Sequence, residues 1–168
     1  MDKGTRVEQI AAATRGLQEA GIRACWFLQF GYPGETFDDI LATVVLMREL
    51  LPNDVGVSVS YPLPGTRFFA MVQAELGEQT HWRDSNDLAM MFQGTYQTPF
   101  YRRLRELVHR DLDVRRRPRA ENSAELESLD AEWRLLERLE ASSRSALPTA
   151  VHRAEEVLAA PDLSRTWN

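Results

Sequence analysis

The chain has 168 residues, 43% hydrophobic and 27% charged, an ordinary balance for a globular protein long enough to bury a substantial core. Its net charge of −5 gives no electrostatic reason to bind nucleic acid or an anionic membrane, and no apolar run approaches the roughly 20 residues of a membrane span. Cys25 is the only cysteine, which excludes an internal disulfide and any multi-cysteine metal or iron–sulfur site built from this chain alone.

The first residues, Met1-Asp2-Lys3-Gly4-Thr5-Arg6, are polar and precede no apolar core, so they do not read as a secretory signal, and the cytoplasm is the expected location. Thr5-Arg6-Val7-Glu8 has the form of a capping box. Val7, Ile10, Ala11, Thr14 and Leu17 then recur at helical spacing until Gly21, predicting an amphipathic helix over 6–20. Residues 23–30 are nearly all apolar and predict a parallel strand buried on both faces. Gln29 is the exception, placed either to face a ligand or to bond neighbouring backbone. Gly31-Tyr32-Pro33-Gly34-Glu35 forms a tight turn, and Thr36-Phe37-Asp38-Asp39 opens the next helix with acidic residues in its first turn. Strand-to-helix turns of this kind stand at the carboxyl ends of parallel strands, where α/β proteins hold ligands.

Pro52-Asn53-Asp54 ends that helix. Val55, Val57, Val59 and Tyr61 alternate with Gly56, Ser58 and Ser60, giving a second strand. Pro62-Leu63-Pro64-Gly65-Thr66 is a second turn, and Phe68, Phe69, Val72 and Leu76 follow at helical spacing. Strands about 30 residues apart with a helix between them are parallel neighbours under the right-handed crossover rule. The pattern is that of a βα barrel or a doubly wound sheet. Residues 77–100 are irregular and carry Trp82, Met90, Met91, Phe92, Tyr96 and Phe100, read as packing. Leu104, Leu107, Val108 and Leu112 predict a helix over 100–112. Arg115-Arg116-Arg117-Pro118-Arg119 reads as a solvated linker. A helix over 123–141 follows, with Asn122-Ser123-Ala124-Glu125 as its capping box and a Leu126, Leu129, Trp133, Leu136 stripe packed within the chain or outside it. A last short helix is expected after Pro148.

Nothing here is spaced for nucleophilic catalysis or phosphate binding. His81, His109 and His152 lie far apart, and no P-loop or GxGxxG is present.

Four motifs together resemble the second half of a radical S-adenosylmethionine (SAM) domain, of the branch that carries an N-terminal cobalamin-binding domain. They are Lys3-Gly4-Thr5, Gly21-Ile22, Gly31-Tyr32-Pro33-Gly34-Glu35-Thr36 and Tyr61-Pro62-Leu63-Pro64-Gly65-Thr66. Residues 80–112 are similar to the segment that follows the barrel in that branch. The resemblance implies an α/β fold: the last two strands and helices of a partial (β/α)6 TIM-like barrel over 1–76, a post-barrel extension over 77–114, and an Arg-rich linker with a helical tail over 115–168. It implies a partial SAM site, with Gln29, Phe30, Gly31, Pro33, Gly34 and Glu35 near adenine and Pro64, Gly65 and Thr66 on the substrate side. Glu35 has an equal alternative as an acceptor for turn amides. In the family a 4Fe-4S cluster on a CxxxCxxC loop cleaves SAM, with cobalamin supporting methyl transfer in some members. That loop, the first half of the barrel and the cobalamin domain have no counterpart here, so the chain is expected to start in mid-domain and not to cleave SAM alone. The expected partner is the missing half, or a second copy through the open strand edge. The alternative is a non-catalytic interaction module or the product of a decayed gene.

Overall fold

A parallel strand pair lies under helices of both halves of the chain. A computed structural model describes residues 4–76 and 88–145. In order these hold α1 (Val7–Glu19), β1 (Cys25–Phe30), α2 (Phe37–Leu50), β2 (Asp54–Val59), α3 (Arg67–Leu76), α4 (Thr98–Arg116) and α5 (Arg119–Ser143). Lys3, His81, Trp82, His152 and the helix expected after Pro148 lie outside the described residues. Among the described residues no helix is long and apolar enough to cross a membrane.

β1 and β2 pair in parallel, with Cys25 opposite Asp54 and Phe30 opposite Val59. Side chains alternate across a strand, so Trp26, Leu28 and Phe30 share one face with Val55, Val57 and Val59. That face packs on Ile40, Val44 and Met47 of α2 and on Leu104 and Val108 of α4. Ile40, Val44 and Met47 are fully enclosed, and each such side chain contributes roughly 1.5–3 kcal/mol by leaving water. The other face, with Cys25, Phe27 and Gln29, differs from the predicted strand buried on both sides. Phe27 is 70% exposed, and its ring lies over Gly56, where an added Cβ would stand 3.1 Å from it. The reason is that the covering helices α2 and α4 pack against the face carrying Leu28 and Val59.

The helix starts differ in detail from the predicted ones. α1 begins after Arg6 rather than at Thr5, and Gln9 Oε1 accepts the Arg6 amide at 2.9 Å. α2 starts as its sequence demands: Thr36 Oγ1 accepts the Asp39 amide at 3.2 Å and Asp39 Oδ2 accepts the Thr36 amide at 2.8 Å. The Thr36 hydroxyl, which donates to Asp39 Oδ2 at 2.7 Å, and then the Thr36 amide hold the Asp39 carboxyl below the usual carboxylate range.

The second half corrects the predicted linker. α4 continues through Arg116, Pro118 caps α5, and the two helices form an αα-hairpin. Asn122 is no helix cap. It is buried inside α5, and its Nδ2 donates to the carbonyls of Val114 and Arg117 at 2.6 and 3.1 Å at the end of α4, the first of which also accepts the Arg117 amide. Proline suits the start of a helix as well as it breaks one, so the same residue fits a tight corner. Arg115, Arg116 and Arg117 are pinned. Arg115 bonds Asp111, Arg116 donates to the Leu51 and Pro52 carbonyls at 3.2 and 2.7 Å, and Arg117 pairs with Glu125. The stripe of α5 packs within the chain: Leu129, Trp133 and Leu136 are buried in the core that also holds α4. At its centre Asp111, fully buried, accepts from Arg48 Nε at 2.9 Å, from Trp133 Nε1 at 2.7 Å and from Arg115 Nε. The Arg48 guanidinium lies 5.4 Å from the centre of the Trp133 ring.

Candidate functional site at the strand-end turns

β1 stops where Gly31 takes φ +79° and Gly34 takes φ +84°, a left-handed backbone that other residues adopt only under strain. The Glu35 amide donates to the Tyr32 carbonyl at 2.9 Å, and Glu35 Oε2 accepts the Gly31 amide at 2.7 Å. The carboxyl thus closes the turn on itself, which is the amide-acceptor role foreseen as its alternative. Burial pushes the Glu35 carboxyl up to about 7, against the lowering effect of the Gly31 amide, and the Asp39 charge adds to the rise.

The second turn is built on the same plan. Gly65 has φ +83°, the Thr66 hydroxyl donates to the Leu63 carbonyl at 2.7 Å, and it accepts the Phe69 amide at 3.1 Å at the start of α3. Pro64, Gly65 and Thr66 are all exposed. An aromatic cluster joins the two turns. Tyr32 lies 4.9 Å from Phe68, ring centre to ring centre, and Phe68 meets Phe92 edge-on at 5.2 Å. Val72, Leu76 and Met91 complete this small second core, with Tyr61 packed against it.

The structure brings most of the predicted residues together but on different sides. Phe30 is 2% exposed and points into the helix-covered core. Gln29 sits on the opposite face beside Ser58, half-buried. Gly31 is enclosed: a Cβ there would stand 3.1 Å from Met90 Cε and 3.2 Å from Tyr101 Cζ. Gly34 and Gly65 have nothing within 4 Å of the corresponding point, so their backbones are open to an incoming group. Met90 packs as the sequence predicts, but neither its place against Gly31 nor those of Phe27 and Tyr101 is marked in the sequence. Phe27 shares the parity of Gln29 along the strand, which was the available signal; Met90 and Tyr101 are too distant in sequence to signal at all.

The Tyr101 hydroxyl is enclosed, and no partner meets it with good hydrogen-bond geometry. Burial first, then the neighbouring Glu35 charge, push its ionisation far up. Both groups are therefore held neutral more readily than in water, and the turn rests on a carboxyl whose charge changes near neutrality. This gives a pH prediction. A carboxyl with a folded pKa above its unfolded value stabilises the fold least when ionised, so Glu35 should cost nothing below about pH 4.5 and should destabilise progressively up to about pH 7, by no more than about 3 kcal/mol. Glu35→Gln keeps an acceptor for the Gly31 amide and removes the charge. Urea midpoints measured from pH 4 to 8 should fall with pH in the parent and flatten in the variant; parallel curves would show that Glu35 does not carry the effect.

No known protein family matches the chain, and no curated protein matches it. Among the described residues no group of three or more His, Cys, Asp or Glu side chains is placed to hold a metal ion.

Proposed function

We propose that the two turns form the adenine side of an S-adenosylmethionine site and part of its substrate mouth, in the C-terminal portion of a radical SAM enzyme of the cobalamin-linked type. The observation that carries this reading is the joining of the Gly31–Glu35 and Pro62–Thr66 turns, at the carboxyl ends of two parallel strands, through Tyr32, Phe68 and Phe92. Adenine needs an apolar surface and backbone hydrogen bonds, and the open positions at Gly34 and Gly65 with the neighbouring rings offer both. Gln29 adds an amide on the uncovered sheet face, while Gly31 and Glu35 hold the turn in shape. SAM, when cleaved in a complete enzyme, would supply the radical or methyl chemistry.

The residues present do not fit a 4Fe-4S cluster. It needs three thiolates from one loop, and Cys25 stands alone at the start of β1, the end of the strand away from the turns. No step through the cluster or through cobalamin is assigned to this chain. The ligands of such a cluster would come from a partner half, as the resemblance implies. A non-catalytic interaction module is the second reading, favoured by the exposed Val7, Ile10 and Leu17 of α1.

The test is a titration of the isotope-labelled chain with S-adenosylhomocysteine, followed by NMR. The amides of Gly34 and Gly65 should shift in a saturable manner, and adenosine should compete. Unmoved amides at millimolar ligand would sink the adenine-side reading.

A further inference from the structure

Two arginines share one buried acid at the corner where α2, α4 and α5 meet. Arg48 gives its Nε and Nη2 to Asp111, and Arg115 gives its Nε to the same carboxylate. One carboxylate does not balance two guanidiniums, and Asp130 reaches Arg115 Nη2 only at 3.5 Å. The Nη1 of Arg48 and of Arg115 has no bond to a described residue. Both arginines line a cavity of about 510 Å³, with Arg117, paired to Glu125, beside them.

The α5 wall of this cavity adds an acceptor. Asn122 stands in it and is 3% exposed. Its Nδ2 is spent on the Val114 and Arg117 carbonyls, while its Oδ1 has no hydrogen-bond partner among the described residues. Buried acceptors are nearly always satisfied, so one left open in a cavity wall marks where a donor belongs. Asn122 and Ser123 also stand in the first turns of α5, where the helix carries partial positive charge and no side chain caps it. Glu127 and Asp130 are exposed at the mouth, whereas Arg48 and Arg115 are three-quarters covered.

These groups select a ligand with two unlike ends. Guanidiniums are planar forks that match the oxygens of a phosphate. The Asn122 oxygen and the carboxylates at the mouth can only accept, so they call for hydroxyls. The volume is that of a small-molecule site and exceeds what a bare phosphate ion needs. We infer that this corner binds a small hydroxylated phosphate monoester, a sugar or polyol phosphate, with its phosphate on Arg48, Arg115 and Arg117 and one hydroxyl donating to Asn122 Oδ1. Arg48 and Leu51 close α2 just before β2 begins, so the site lies where the strands start, the end away from the Gly31 and Gly65 turns. A negative titration with S-adenosylhomocysteine therefore leaves it standing.

The experiment titrates the full chain with ribose 5-phosphate, by calorimetry and by NMR of the Asn122 side-chain amide. Saturable binding that moves this amide is expected, with inorganic phosphate weaker and ribose alone silent. Ser123 is exposed and lines the cavity, so Ser123→Glu sets a negative charge against the phosphate at a place where a helix start tolerates it. That variant should lose affinity about tenfold or more, and Ser123→Gln, equal in size, should stay within about twofold, with unchanged melting for both. An unmoved Asn122 amide at millimolar ribose 5-phosphate overturns the inference. So does equal binding by the Ser123→Glu variant, or sulfate that binds as tightly as ribose 5-phosphate, since sulfate brings no hydroxyl.

Discussion

Asp111→Ala is expected to lower the stability of the fold by about 3–5 kcal/mol, the range seen when one partner of a buried ion pair is removed. Arg48, Arg115 and the Trp133 indole all donate to this one carboxylate, which is completely enclosed between α2, α4 and α5. Without it the indole N–H is left unpaired, Arg48 loses its counter-charge, and Arg115, also three-quarters covered, keeps only Asp130 at 3.5 Å. Guanidinium unfolding with an unchanged slope and a sharply lower midpoint is the expected readout. Asp111→Asn, which keeps one acceptor and the side-chain shape, should lose less. A midpoint loss equivalent to under about 1 kcal/mol for the alanine variant would show that the three donors find other partners, as exposed ion pairs do.

Gly31→Ala should cost about 2–4 kcal/mol, from two additive sources. The first is backbone: φ +79° is strained for any residue with a Cβ. The second is space, because the new methyl would press on Met90 and on the Tyr101 ring. Met90 can give way. Tyr101 is buried among Tyr96, Phe100 and the α4 core and cannot. Gly34→Ala isolates the first source, since φ +84° is matched there by open space, and about 1 kcal/mol is expected. Equal thermal shifts for the two variants would contradict the close packing at Gly31.

What was legible in the sequence is local. Thr36 and Asp39 announce a helix start that needs only each other, and the glycines of both turns adopt the left-handed backbone that makes glycine useful there. The parallel pairing of the two strands followed from one crossover rule. What was not legible depends on partners far along the chain. The run from Arg115 to Arg119 looks like a solvated linker because the acceptors of Arg115, Arg116 and Arg117 are Asp111, Glu125 and the end of α2, none of which marks the run itself. The filling of the Gly31 turn by Met90 and Tyr101 was invisible for the same reason. The exposure of Phe27 is not legible because a continuous apolar run reads as two covered faces, and nothing within the strand itself distinguishes one covered face from two.

The placement of α4 has a consequence for how this protein can be taken apart. Leu28, Phe30, Val55 and Val59 share their core with Leu104, Leu107 and Val108, so the sheet's packed face is completed by residues from the far end of the chain. The first 76 residues are therefore not a cassette that could be cut out, shuffled into another protein or expressed by themselves. Any shortening that removes α4 would leave that face with α2 alone and open the rest of it to water.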